Sequence, residues 1–210
     1  MTDVSLDALA DLLLAADRGK RLLVAIAGPP GVGKSTTCER LVDRLNAAVP
    51  GLAGLLPMDG YHFDDAVLHE RGHRPRKGAP HTFDLGGLAA MIDRLRLDDG
   101  SDIAVPVFDR SIEIARAGAR IVDGRARIII VEGNYLLLDW PGWKDLAFDV
   151  TVMLEADEAV LESRLTARWQ GFGYEGQAML DKMEGNDLPN MRLVLRQSRA
   201  ADYTLRTDAA

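Results

Sequence analysis

Residues 28–36 read Gly28-Pro29-Pro30-Gly31-Val32-Gly33-Lys34-Ser35-Thr36 and satisfy G-x-x-x-x-G-K-[ST], with Gly28, Gly33, Lys34 and Ser35 at the fixed positions. That spacing suits one kind of chemistry. The backbone N–H groups of a tightly curled loop converge on phosphate oxygens, and the helix that follows adds the partial positive charge of its N-terminus. Lys34 would reach the β- and γ-phosphates and the Ser35 hydroxyl would ligate Mg²⁺, so ATP or GTP with Mg²⁺ is the expected ligand.

Transfer of a phosphoryl group needs more than a loop: a carboxylate to orient or deprotonate the acceptor, cations over the moving charge, and a cover against water. Asp59, in MDGYH, stands just past a short apolar segment expected to lie beside the strand that feeds the loop. Its carboxylate could face the γ-phosphate and accept a hydroxyl proton, although Asp-Gly is also a turn signal. Glu132 ends the apolar run Ile128 to Val131, where a carboxylate can hold Mg²⁺ or its waters, or simply cap the strand. On the acceptor side, ERGHRPRKGAPHTFD concentrates Arg71, Arg74, Arg76 and Lys77 with His73 and His81, a recognition loop or a solvated basic one. His62, Asp84, Asp109 and Arg110 are further candidates for binding the acceptor, and Asp84 and Asp109 could equally serve turns or caps. Neither His62 nor His81 has zinc-ligand spacing to another His or Cys. Arg164 and Arg168 are four apart and share one helical face, and Arg168 precedes the glycine-rich WQGFGYEG. This suits a mobile lid over residues 164–190, with Arg168 stabilising transferred charge; a solvated face is the alternative. Asn186, Asp187 and Asn190, in GNDLPN, could reach substrate or cap a helix, and the three tryptophans read as packing residues.

The elements that must position these groups are legible in part. Leu22 to Ala27 is a strand of the buried type, and the stretch after it is a helix ending near Pro50-Gly51. LAGLLPMD, IAVPVFD, Ile128 to Val131, FDVTVMLE and DYTLR read as strands, Leu85 to Leu97 and DEAVLESRLTARWQ as helices, and the N-terminus as an amphipathic helix. Two short antiparallel strands are expected around Ile112 to Ile114 and Arg120 to Val122. Apolar strands alternating with helices predict an α/β fold, a doubly wound, mostly parallel sheet in a single domain over residues 1–210.

The composition bounds the partners. A net charge of -7 disfavours nucleic acid and anionic membrane, both polyanions, and leaves a small molecule as the expected partner. The N-terminal stretch carries Asp7, Asp11 and Asp17 where a secretory leader would be basic, no apolar run reaches the roughly 20 residues of a membrane span, and Cys38 is the single cysteine. A cytoplasmic protein without disulfides is expected. Asp84-Leu85-Gly86-Gly87 matches the D-x-x-G of GTPases, but the residues before it make a poor strand and N-K-x-D is absent. GPPGVGK also occurs in AAA+ ATPases, whose strand ends Asp-Glu where this one ends IIIVEGN.

Taken in order, GPPGVGKST, MDGYH, RKGAPHTFD, PVFDR, VEGNYLLL and the arginine-bearing lid with NDLPN resemble the P-loop small-molecule kinases that include uridine kinase, phosphoribulokinase and bacterial pantothenate kinase. The likeness runs from about Leu22 to Leu205. Within this group the chain is most similar to short bacterial kinases called fructose-transport-system kinases or fructokinases, through RKGAP-x-TFD and VEGNYLLLD. The resemblance implies the P-loop NTP hydrolase fold with a helical lid, ATP and Mg²⁺ as donor, and a sugar such as fructose as acceptor. It assigns Asp59 as catalytic base, Lys34 and Ser35 to phosphate and metal, Glu132 to the strand-end position, Arg168 to the lid, and Asp84 and Asn190 to substrate; it also makes a homodimer plausible. A nucleoside or pantothenate-like kinase is the alternative within this chemistry. Outside it, the alternative is a nucleotide-dependent regulatory ATPase linked to transport, which would not need the acceptor-side carboxylates Asp59 and Asp84.

Overall fold

The computed structural model describes residues 1–208. The chain opens with a two-residue strand, β1 (Thr2–Asp3), and helix α1 (Leu6–Ala16), whose first turn is capped by the Ser5 hydroxyl accepting the Ala8 N–H at 3.1 Å. β2 (Leu22–Ala27) leads into the glycine loop and α2 (Lys34–Ala48) leaves it. β3 (Ala53–Pro57) ends in a 3-10 turn over Met58–Tyr61, followed by the short helix α3 (Asp65–Glu70) and by α4 (Leu85–Leu97). After the hairpin of β4 (Ile103–Asp109) and β5 (Ile114–Val122) come β6 (Ile128–Gly133), β7 (Val150–Glu155), α5 (Glu158–Gly171) and α6 (Gly176–Lys182). A π-helical turn over Met183–Asp187 runs into α7 (Leu188–Gln197), and β8 (Tyr203–Arg206) closes the order.

Six strands form one parallel sheet in the order β1-β8-β7-β2-β6-β3. The continuous apolar runs follow from burial on both sides. In β2, Leu23, Ala25 and Ala27 face a core shared with α4 and the hairpin, while Val24 and Ile26 face a second core built with α1, α2 and α5. β6 divides the same way, Ile129 and Val131 to one core and Ile128 and Ile130 to the other. Cys38 packs in α2, as expected of a small apolar residue.

Two expectations are corrected. β3 does not lie beside β2: β6 sits between them, with Ile26, Glu132 and Pro57 in one row. β6, apolar from Ile128 to Val131, takes the interior, and β3, which carries Gly54 and the donor-less Pro57, takes the sheet edge where a missing N–H costs least. The two short antiparallel pieces are instead one nine-residue strand, β5, paired with β4 outside the main sheet. Its register shifts opposite Pro106, which cannot donate to a ladder, and Gly118 turns through φ 64° there. β1 has no pattern of its own and forms by pairing with β8. No described helix is long and apolar enough to cross a membrane.

Candidate active site

The phosphate loop sits at the carboxyl end of β2. Gly28, Pro29, Pro30 and Val32 are buried and form its floor, while Gly31, Gly33, Lys34, Ser35 and Thr36 face the cleft above. Gly33 caps α2 at φ 89°, a conformation that L side chains adopt at a cost, and offers no side chain to satisfy the first-turn N–H groups. Those donors are left to an anion. Lys34 Nζ donates to the Pro29 carbonyl at 3.0 Å. Desolvation pushes its pKa down to about 8 against the pull of the Glu132 and Asp59 carboxylates.

Glu132, 8 % exposed, accepts from Ser35 Oγ through both carboxylate oxygens, at 3.1 and 3.3 Å. Burial and the nearby Asp59 charge raise its pKa, while Lys34 and the Ser35 hydroxyl act the other way. Hydroxyl and carboxylate oxygens at one spot beside a phosphate loop are the donor set of a hard cation that keeps waters and phosphate as its other ligands.

Asp59 comes to this center through the 3-10 turn after β3. Arg110, at the end of the hairpin's first strand, donates Nη2 to Asp59 Oδ2 at 2.8 Å. The His62 ring donates Nδ1–H to the Asp59 carbonyl at 2.8 Å, which leaves Nε2 as an acceptor. That ring lies 4.0 Å from Phe83 and 4.6 Å from Phe108, and its burial lowers its pKa. Gly60 is required by close approach: a Cβ there would overlap the Pro106 carbonyl, so the turn bearing Asp59 rests directly on the hairpin.

Lys77 and Arg74 both grip Asp65, at 2.6 and 2.7 Å. Tyr135, its hydroxyl donating to the Gly78 carbonyl at 2.6 Å, fastens the same loop to the strand-end segment after Glu132. Opposite, Arg168 Nη2 reaches Asp187 Oδ2 at 3.2 Å, and Trp169 donates its ring N–H to the same oxygen. The Trp169 ring carries two cations, Arg168 at 5.4 Å and Lys182 at 5.3 Å. Arg164 borders both this cleft and the groove beside it and bonds Thr207, at 3.1 Å to the hydroxyl and 2.9 Å to the carbonyl.

A cleft of about 430 Å³ therefore gathers Pro30, Gly31, Gly33, Lys34, Ser35, Thr36, Asp59, His62, Arg110, Glu132, Arg168 and Asn190. A second groove of about 800 Å³ runs from the outer rim of the loop past Thr36, Arg40 and Arg164 to Thr204–Thr207. Asp84 and Asp109 do not line the cleft. Asp84 caps α4 by accepting the Gly87 N–H at 2.9 Å, and Asp109 closes the hairpin turn on Ser111, at 3.1 Å to the N–H and 2.6 Å to the hydroxyl. The cleft walls also include Phe108 and Glu113, which sequence reasoning missed because they arrive only when the hairpin folds back across the sheet, and Phe83 and Asn134, which stand beside Asp84 and two residues past Glu132 without a pattern of their own. Trp143 packs against Phe83 and Tyr135 as expected, but Trp169 lines the cleft.

No family model matches the chain. A Schizosaccharomyces pombe protein named "Putative uridine kinase C227.14" is 28% identical over 195 residues, spanning 89% of this chain and 83% of that one. The pantothenate kinase of Parvibaculum lavamentivorans is 31% identical over 148 residues, 65% of this chain and 44% of its own length. Among solved structures, a "putative fructose transport system kinase" from Silicibacter sp. TM1040 superposes with a TM-score of 0.88 at 42% identity, covering 96% of this chain and 98% of that one.

Proposed function

This chain belongs to the P-loop small-molecule kinases that include uridine kinase and pantothenate kinase and is an ATP-dependent kinase; from that premise we propose that its acceptor is a neutral polyol, a sugar such as fructose. The observation that carries the acceptor class is charge. On the acceptor side of the cleft Arg74 and Lys77 are already held by Asp65 and Arg110 by Asp59, and Arg76, in the same loop, spends its donors on the Gly185 carbonyl and the Asn190 amide oxygen. An acceptor bearing its own carboxylate or phosphate would call for a cation without such a partner. What this wall offers is hydroxyl-binding groups, His62 Nε2 and the Asn134 amide, beside the ring faces of Phe83 and Phe108. The fructose description attached to the Silicibacter structure agrees with that reading.

In this reading the triphosphate lies in the loop with its nucleoside in the second groove, and the acceptor hydroxyl lies against Asp59. Asp59 takes the hydroxyl proton as the acceptor oxygen bonds to the γ-phosphorus and the bond from that phosphorus to the β-bridging oxygen breaks, releasing ADP. Ser35 and Glu132 would hold Mg²⁺, which supplies charge neutralisation on the phosphates when bound. Lys34 and Arg168 spread the charge of the transferred group, and residues 164–190 act as a lid that keeps water out.

The test is mass spectrometry of reactions containing ATP, Mg²⁺ and a pool of sugars, glycerate, pantothenate and nucleosides, with Asp59→Asn as control. A phosphosugar made by the wild type and reduced at least about a hundredfold in the variant is expected, the scale of losing a general base. Phosphorylation of glycerate or pantothenate in place of the sugars would refute the neutral acceptor. ADP without any phosphorylated product would favour a regulatory ATPase.

A further inference from the structure

Asn190, expected at the acceptor, has both ends of its amide engaged by protein. It is 2 % exposed; its Oδ1 accepts from Arg76 Nη2 at 3.2 Å and its Nδ2 donates to Asn186 Oδ1 at 3.0 Å. Asn186 in turn donates Nδ2 to the Lys77 carbonyl at 2.7 Å, and Arg76 Nη1 donates to the Gly185 carbonyl at 2.8 Å. Three of these bonds join the acceptor loop to residues 185–190, more than a hundred residues further along the chain, and the fourth braces that segment internally. That segment spans the π-helical turn, Met183–Asp187, and the start of α7, and the last residue of the turn holds Arg168. The acceptor loop is itself fastened to the body of the molecule, by Tyr135 at Gly78 and by Lys77 on Asp65 and on the Glu113 carbonyl at 2.7 Å.

From this arrangement we infer that Arg76 is a positioning residue for phosphoryl transfer: it latches the lid to the anchored acceptor loop, so that Arg168 takes its place only when that loop is in order. The inference rests on the kinase reading for its consequence but not for its geometry. Both acceptors of Arg76 are neutral and are reached from two different guanidinium nitrogens, so its planar donor fork is what the latch uses, and a lysine, with all its donors on one nitrogen, reproduces that geometry only in part.

Hydrogen exchange tests the latch with no acceptor present. In the wild type the amides of residues 183–190 should be protected, and in Arg76→Ala they should exchange at least about tenfold faster, with Arg76→Lys between the two. Should Arg76→Ala fail to fold, Asn186→Ala, which cuts the link to the Lys77 carbonyl, carries the same expectation. Unprotected lid amides in the wild type, or equal exchange in wild type and variant, would overturn the inference. With ATP, Mg²⁺ and D-fructose, Arg76→Ala should lower kcat about tenfold and leave KM for ATP within about twofold, with partial rescue by lysine. A rise in KM for ATP with kcat unchanged would overturn the positioning role. If the wild type does not phosphorylate fructose, the acceptor reading fails, and the exchange experiment still decides the latch.

Discussion

Lys34 holds its charge against burial, and the balance is fine enough to be felt near neutral pH. With its pKa pushed down to about 8, the free protein carries a charged Lys34 below pH 8 and a neutral one above it. Triphosphate in the loop favours the charged form, so above pH 8 binding must take up a proton and the Kd for ATP should weaken, approaching about tenfold per pH unit. Calorimetry in buffers of different ionisation heat checks this: proton uptake by Lys34 at pH 9, none at pH 7, and no such uptake in Lys34→Ala. Equal affinity at both values would show that Lys34 does not titrate there. At this scale the loop was readable from sequence because its chemistry is local, Lys34 and Ser35 being set by glycines beside them. The partnership of Asp59 with Arg110 was not, since the two are 51 residues apart and meet only through the hairpin. Asp84 and Asp109 take the turn and cap roles that the sequence also offered, their carboxylates accepting from N–H groups two or three residues away, as short acceptors commonly do.

The hairpin is the element that turns a nucleotide-binding sheet into a site with an acceptor side. It brings Arg110 and Phe108 to the cleft, and its Pro106 carbonyl presses on Gly60. Gly60→Ala must therefore displace either the Asp59 turn or the hairpin. The expected result is kcat lowered at least about tenfold, the size of effect that small misplacements produce, with ATP affinity within about twofold because the phosphate loop is untouched. Titration calorimetry with ATP alongside turnover measurements separates the two, and unchanged kcat would mean that this contact does not set Asp59. Helices and central strands were legible from their periodicity. Strand order has no local signal, which is why β6 between β2 and β3 came as a correction. β5 escaped for a different reason: IARAGARIV lacks apolar alternation, being exposed along most of its length.

Across the whole molecule, Arg21 ties together parts that share no local sequence. Its side chain donates to the carbonyls of Ala126, Leu95 and Gly124, at 2.9, 3.0 and 3.1 Å, and pairs with Asp98 at 3.0 Å. It joins the start of β2 to the end of α4 and to the connection into β6. Arg21→Ala strips several part-buried carbonyls of their donor and should cost roughly 2 to 4 kcal/mol, read as a lowered midpoint in urea with an unchanged slope. A loss below about 0.5 kcal/mol, the range of ordinary surface substitutions, would show that water replaces the guanidinium at no cost. The two-core parallel architecture was legible because buried strands need apolar residues on both faces; the staple was not, because an arginine after a lysine reads as surface. The lid end of the molecule has a property of another kind. Trp169 lies under two cations and donates to Asp187, while Trp143 is locked among Phe83 and Tyr135 and Trp140 is bonded to Gln197 at 2.6 Å. Under the proposed lid motion, opening would change the surroundings of one indole and leave the other two as a constant background, which would give the protein its own optical gauge of closure, readable in emission without any attached dye.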